Sequence, residues 1–203
     1  MTTETASPFF SAEELATIER AIAHRRSLGL SRLKEDLVDK AIIEKMLEAA
    51  NWGQSNGDTE PWRLTVFSGE GRTALADAFE QAYNADYAEK EADPIAMQGY
   101  RDRAFQAPLW IAIGMTPDPE AFLDEEKMAV ATAMQNLQLV AAAYGLIGMW
   151  HSKGTSTHPA VAQALGLTPP SELLGLYFFG WPNVDWPEGE RKPLEDKVTW
   201  HLE

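Results

Sequence analysis

Four short clusters in this chain of 203 residues carry side chains able to grip a small polar ligand. Arg25-Arg26-Ser27 offers two planar forks of donors and a hydroxyl, a set that suits a phosphate. The same charges at the end of a first helix would also complement its dipole. Gln54–Trp62 (Gln-Ser-Asn-Gly-Asp-Thr-Glu-Pro-Trp) is a polar loop between a helix and a strand, either a ligand grip or a plain turn. Gly148–Gly154 joins the aromatic face of Trp150 to His151, Ser152 and Lys153. A buried Trp beside a surface His would read the same way. Arg191-Lys192-Pro193 is a basic spot in an acidic tail, a phosphate contact or a solvated pair.

Stronger signatures are missing. There is no Gly-rich dinucleotide fingerprint, no Walker A sequence and no Gly-x-Ser-x-Gly elbow. With no cysteine, disulfides, thiolate-ligated zinc, iron–sulfur clusters and thiol nucleophiles are excluded. His24, His151, His158 and His201 have no metal-ligand spacing, so no metal site is expected. The 17 basic against 31 acidic residues, a net −14, argue against nucleic-acid binding, which needs a basic face. Hydrophobic residues at 45% and charged residues at 24% are a globular composition. The polar start lacks a signal-peptide pattern. The longest apolar stretch, Met128–Tyr144, is broken by Thr132, Gln135, Asn136 and Gln138 and falls short of the roughly 20 residues a span needs. A soluble, cytoplasmic protein is expected.

The elements that must position these clusters follow from periodicity and punctuation. The first helix is predicted to open at Ser11, with Glu14 in capping-box spacing, and to run through Leu15, Ile18 and Ile22 to His24-Arg25-Arg26. A second is predicted from Asp39 to about Trp52, with Val38 and Ile43 at staple positions. Trp62–Phe67 alternates apolar and polar and reads as a strand. A helix from about Gly71 to Ala92 follows, with a solvated acidic face over Asp77–Asp93, then a shorter helix over Ile95–Phe105. Leu109–Ile113 is a continuous apolar run, a buried strand. Glu125–Tyr144, apolar nearly all round, reads as a central helix enclosed by other elements and stopped by Gly145. Leu146–Trp150 reads as a turn leading into a short strand. His158–Leu165 reads as a short helix closed by Gly166, and Leu173–Phe179 as a strand ended by Gly180-Trp181-Pro182. Residues 183–203, with Pro187 and Pro193, read as an extended arm. No repeat or linker divides the chain, so residues 1–203 are expected to form one α/β or α+β domain of about four strands.

In this order the clusters resemble the nitroreductase family of FMN-dependent oxidoreductases. The likeness is carried by Arg25–Ser27, by Gln54–Trp62 where the family has Pro-Ser-x-x-Asn-x-Gln-Pro-Trp, and by Asn136-Leu137 running through Gly145-Leu146 to Gly148. Gly180–Pro182 and Arg191–Pro193 complete it, so that it spans roughly residues 18–200. Within the family the chain is most like the small bacterial NAD(P)H nitroreductases, which carry Trp-Arg-Ser where this chain has Trp150-His151-Ser152.

The resemblance implies an α+β fold: a central, mostly antiparallel sheet of about four strands, flanked by helices, with a further strand from the partner's C-terminal arm, 183–203. It implies a homodimer with FMN at the interface and NAD(P)H as electron donor. A nitroaromatic, quinone or similar flat acceptor would then be reduced by ping-pong hydride transfer. Arg25, Arg26 and Ser27 match the segment holding the FMN phosphate and ribityl chain. Trp52 and Asn56 match positions that the partner subunit contributes near the flavin. Trp150, His151 and Ser152 match the segment along the isoalloxazine, and Arg191 with Lys192 the tail's contact to phosphate. Because the flavin carries the redox chemistry, no catalytic side chain is expected. In a chain of net charge −14, Arg25, Arg26, Arg32, Lys34, Arg191 and Lys192 are the cations available for a dianionic phosphate.

This chain departs from the family pattern at Gln54, Asp58 and Glu60, where Pro, Asn and Gln are usual. Acids there would lower the flavin potential, bind a cationic substrate group, or face solvent. Trp52, where close relatives can have Arg, would favour apolar or aromatic acceptors. A side-chain contact through His151 would make activity pH-dependent. Two other readings fit the same residues: a flavin-dependent dehydrogenase, oxidase or dehalogenase, and a flavin-free binding or scaffold relative.

Overall fold

The computed structural model describes residues 9–88 and 93–202. Ten regular elements follow in the order α1 (Ala12–His24), α2 (Lys40–Asn51), β1 (Trp62–Ser68), α3 (Arg72–Asp86), α4 (Pro94–Asp102), β2 (Leu109–Met115), α5 (Leu123–Ala143), β3 (Ile147–His151), α6 (Pro159–Ala164) and β4 (Glu172–Gly180). The strands form one antiparallel sheet in the order β1-β2-β4-β3. Helices α2 and α5 cover one face, and α3 and α6 the other. This is the α+β architecture expected, with four strands.

Strand β2 is buried along its whole length because both sheet faces are covered. Leu109, Ile111, Ile113 and Met115 pack with Met46, Val130, Met134 and Leu137 from α2 and α5. Trp110 and Ala112 pack with Leu75, Phe79 and Ala82 of α3. A strand enclosed on both sides loses the polar alternation that marks a half-exposed one. β4 follows the same rule, with Tyr177 and Phe179 on the α5 side and Leu176 and Phe178 on the α3 side.

Local signals set the helix starts. Ser11 N–H donates to the Glu14 carboxylate at 2.8 Å and Glu14 N–H returns a bond to Ser11 Oγ at 3.3 Å, closing the capping box of α1. Asp39 caps α2 by accepting from Ala41 N–H at 2.8 Å. Gly145 ends α5 in the left-handed region at φ +82°, where a side chain would be strained.

Four expectations are corrected. Residues 147–151 are themselves strand β3, not a turn before one, because each pairs with a residue of β4 from Gly180 to Leu176. Helix α3 ends at Asp86, and the expected continuation through residues 89–92 lies outside the described residues. Its acidic stretch is not simply solvated: Asp77 and Glu80 both pair with Arg101 of α4, while Phe79, Ala82 and Tyr83 are buried. Helix α5 is not enclosed all round within one chain, since Met128 is 66% and Tyr144 47% exposed.

Beyond Gly180 the described chain has no regular element except a short 3-10 turn, Glu195–Lys197. The start of this tail is tied back to α1. The Trp186 ring stacks on His24 with centroids 4.5 Å apart, and its Nε1–H donates to the His24 carbonyl at 2.9 Å.

Candidate functional site

The Gly148–Gly154 cluster begins in β3, at one edge of the sheet. Trp150 of β3 lies directly opposite Tyr177 of β4. Both belong to the sheet face that packs against α2 and α5. Burial raises the pKa of the Tyr177 phenol, and the Arg25 guanidinium acts in the opposite direction. The Trp150 indole is fixed there by an Nε1–H bond to the Leu174 carbonyl at 3.2 Å.

Arg25 and Arg26 have different surroundings. Arg25 donates to Ser27 Oγ at 3.3 Å and meets no carboxylate among the described residues. Arg26 donates to three backbone carbonyls, those of Ala23 at 2.6 Å, Arg25 at 2.8 Å and Pro187 at 3.1 Å. Its guanidinium lies against Gly189 so closely that a Cβ there would fall 2.1 Å from Cζ. Arg26 therefore clamps the start of the C-terminal tail.

His151, one residue on, points to the opposite face of the sheet. Its ring meets the edge of Phe178 at 5.0 Å and its Nδ1 lies 2.6 Å from a guanidinium nitrogen of Arg103. Because Arg can only donate, Nδ1 is the acceptor and the neutral ring carries its proton on Nε2. Burial lowers the His151 pKa, and Arg103 lowers it further. Arg103, Trp150, His151, Ser152 and Lys153 line a pocket of about 350 Å³.

The loop 52–60 runs along α5 and is tied to it throughout. Asn136 donates to the Trp52 carbonyl at 3.1 Å, Thr132 to the Gln54 carbonyl at 3.2 Å, and Asn56 to the Glu125 carboxylate at 2.8 Å. The buried Glu126 carboxylate accepts from Thr59 Oγ1–H at 2.7 Å and from Asp118 N–H at 3.0 Å. These bonds hold a strained backbone, with Asp58 and Glu60 in the left-handed region at φ +53° and +43°. The carboxylates of Asp58 and Glu60 are exposed, as is 79% of Trp52. Asp58, Glu60, Asn51 and residues 52–55 line a second pocket, of about 360 Å³.

Within one chain Asn56 and the end of α1 lie toward opposite ends of α5. Helix α1, which ends at His24, borders a cleft against Ala142 and Ala143 of α5. Glu125, which holds Asn56, is about 25 Å from Ala142 along the helix axis at 1.5 Å per residue. Asn136, which holds Trp52, is about 9 Å from Ala142. In the tail, Arg191 donates, among the described residues, only to the neighbouring Glu190 carbonyl at 2.8 Å, and the Lys192 carbonyl accepts from Lys197 at 2.8 Å.

Arg103, Tyr177 and Glu126 were not singled out in the sequence. Arg103 follows a short helix with no motif around it, and Tyr177 sits inside an apolar strand. Glu126 is one of three acids in the first turn of α5, where helix-dipole compensation explains all three equally well. Among the described residues no group of three or more His, Asp or Glu is placed to hold a metal, and no helix is long and apolar enough to cross a membrane.

One antiparallel sheet in the order β1-β2-β4-β3 between two helical layers is the nitroreductase-like α+β fold. The chain matches the Nitroreductase family over residues 22–181, and it belongs to that family. It is 28% identical over 183 residues to "Putative NAD(P)H nitroreductase YfhC" of Bacillus subtilis, covering 88% of this chain and 91% of that one. A solved structure of a nitroreductase-like family protein from Bacillus cereus superposes with a TM-score of 0.77 at 28% identity, covering 97% of this chain and 99% of that one. The FMN-dependent nitroreductase NfnB of Mycobacterium smegmatis, solved with NADPH, shares the fold at a TM-score of 0.68 and 21% identity, over 93% of this chain and 100% of that one.

Proposed function

We propose that this chain is an FMN-dependent oxidoreductase. It takes electrons from NAD(P)H and delivers them to a flat acceptor such as a nitroaromatic or a quinone, as a cytoplasmic homodimer. The observation that carries the reading is the pairing of Trp150 with the buried Tyr177 at a sheet edge, an aromatic platform whose phenol feels the charge of Arg25. Family membership and the NAD(P)H in the Bacillus subtilis relative's name support the donor. The FMN and NADPH in the Mycobacterium smegmatis structure support the cofactor.

The donor set fits the phosphate of FMN. Arg25 keeps guanidinium donors that no carboxylate of the described chain takes up, and Ser27 adds a hydroxyl beside it. In a chain of net charge −14 such a cation marks where an anion is held. When bound, FMN supplies the redox chemistry between donor and acceptor. The chain supplies binding and orientation: Arg25 and Ser27 grip the phosphate, and Trp150, His151 and Ser152 flank the ring system. Arg26 contributes by fixing the tail that carries Arg191 and Lys192.

Homodimerisation is supported by what one chain leaves uncovered. Helix α1 buries no residue in its own chain, with Ile18 at 45% and Ile22 at 55% exposure. Met128 and Tyr144 of α5, and Leu194, Trp200 and Leu202 of the tail, are likewise exposed. The separation of Asn56 from residues 25–27 along α5 is bridged if Trp52 and Asn56 serve the flavin of the other subunit. The tail 183–203 then crosses to the partner's sheet, whose outer strands have open edges.

The test is the visible absorption spectrum of the purified chain, with heat release and identification of any flavin. A yellow protein that releases about one FMN per chain, and that NADH or NADPH bleaches, supports the reading. A chain that remains colourless after incubation with FMN overturns it.

A further inference from the structure

Helices α3 and α6 are joined at their ends by one histidine. His158 is the N-cap residue of α6, with 18% of its side chain exposed. Its Nδ1 accepts from Ala160 N–H at 3.1 Å, which caps the helix. Its Nε2 lies 3.2 Å from the carboxylate of Asp86, the last residue of α3. An amide can only donate, so Nδ1 holds a lone pair and Nε2–H donates to Asp86. His158 N–H also donates to the Thr155 carbonyl at 3.3 Å, and the His158 carbonyl accepts from Ala162 N–H at 3.0 Å. The residue thus ties the loop 152–158 to α6.

The two helix ends place opposite demands on the ring. Asp86 sits at the negative end of the α3 dipole, and the last turn of α3 holds no base to offset it. That end favours an imidazolium. The start of α6 has the reverse polarity, and its cap uses the lone pair that a proton on Nδ1 would take. That end favours the neutral ring. No carboxylate other than Asp86 pairs with His158 among the described residues. Residues 154–157 and 159–164 contain no ionisable side chain, and Lys153 is the nearest charge along the chain. On β4, Glu172 pairs with Lys127, and Tyr177 belongs to the α5 side. Beside Asp86, Tyr83 stacks on Tyr87 and meets the edge of Tyr100, whose phenol is pushed up by burial and then by Tyr87 and Asp86.

We propose that His158 is a pH-operated latch between the end of α3 and the start of α6. The neutral ring caps α6 and holds it to Asp86. A proton taken from solvent on Nδ1 leaves the bond to Asp86 in place and breaks the bond from Ala160 N–H. The start of α6 and the loop 152–158 then loosen together. The latch is defined by its own bonds and needs no flavin. Only its consequence for turnover rests on the proposed function, because Ser152 and Lys153 at the head of this loop line the pocket beside Trp150.

The test is NMR of the purified full chain from about pH 8 to about pH 5, following the His158 ring nitrogens and the amides of α6. At the upper end the ring is expected to carry its proton on Nε2. As it titrates, protection of the Ala160 amide, corrected for the intrinsic pH dependence of exchange, should fall about fivefold. His158→Asn caps without titrating and should keep the protection at every pH, while His158→Ala should lack it at every pH. Asp86→Asn removes the charge that favours the imidazolium and should move the transition to lower pH. A neutral ring protonated on Nδ1, Ala160 protection that does not follow the ring, or the same pH dependence in His158→Asn overturns the latch. The flavin absorbance of the same samples reads the proposed function separately: a colourless chain in which Ala160 still follows the ring keeps the latch and loses the cofactor.

Discussion

The indole of Trp150 rests on the backbone of β4 at Gly175, and only a glycine permits it. A Cβ on Gly175 would lie 2.4 Å from Trp150 Nε1 and 2.3 Å from the His151 carbonyl oxygen. Gly175 also has φ +145°, a conformation other residues rarely adopt. Gly175→Ala is therefore expected to destabilise the fold by about 2–4 kcal/mol and to displace the indole. Thermal unfolding and tryptophan fluorescence would show both effects; a native spectrum with unchanged melting would refute the close packing.

Glu126 is expected to govern the order of the loop 52–60. Glu126→Ala leaves the Thr59 hydroxyl and Asp118 N–H without their acceptor and should cost about 2–3 kcal/mol. Amide exchange in residues 56–60 should accelerate more than in β2. Glu126→Gln, which keeps an acceptor oxygen, should lose less. Equal losses in the two variants would mean that packing, not hydrogen bonding, accounts for the effect.

Arg25 and Arg26 should separate by readout. Arg26→Ala removes the bond to the Pro187 carbonyl and the contact under Gly189, so limited proteolysis should cut faster near residues 187–190. Arg25→Ala should leave that cleavage rate unaltered and lower FMN retention. Unaltered cleavage in Arg26→Ala would show that the Trp186–His24 stack holds the tail alone.

His151 predicts a pH dependence of definite sign. Its pKa is depressed, by burial first and by Arg103 second. As pH falls below the ordinary value of about 6.5, an unfolded imidazole takes up a proton that the folded one refuses. Stability is therefore full above that value, declines as pH drops through the folded pKa, and levels off below it. Arg103→Met removes one of the two causes and should move the His151 titration upward in NMR. A titration unchanged by that substitution would detach Arg103 from the effect.

What the sequence by itself determined is local. The capping box of Ser11 and Glu14, the cap at Asp39, the stop at Gly145 and the doubly buried run Leu109–Ile113 each act within a few residues, so spacing and residue type suffice to read them. Element existence was therefore legible almost throughout, while the α3 end and β3 were not. The apolar residues of 147–151 are compatible with a turn or a strand until β4 supplies partners. The clusters of the candidate site were visible as clusters, but their surroundings were not. Arg103 with His151, Thr59 with Glu126, and Arg26 with Pro187 join residues 48, 67 and 161 positions apart. Nothing in local spacing encodes such pairs, because strand register and helix packing bring them together only after loop closure. The tertiary structure alone decided that Arg26 clamps the tail while its neighbour Arg25 reaches only Ser27 among the described residues.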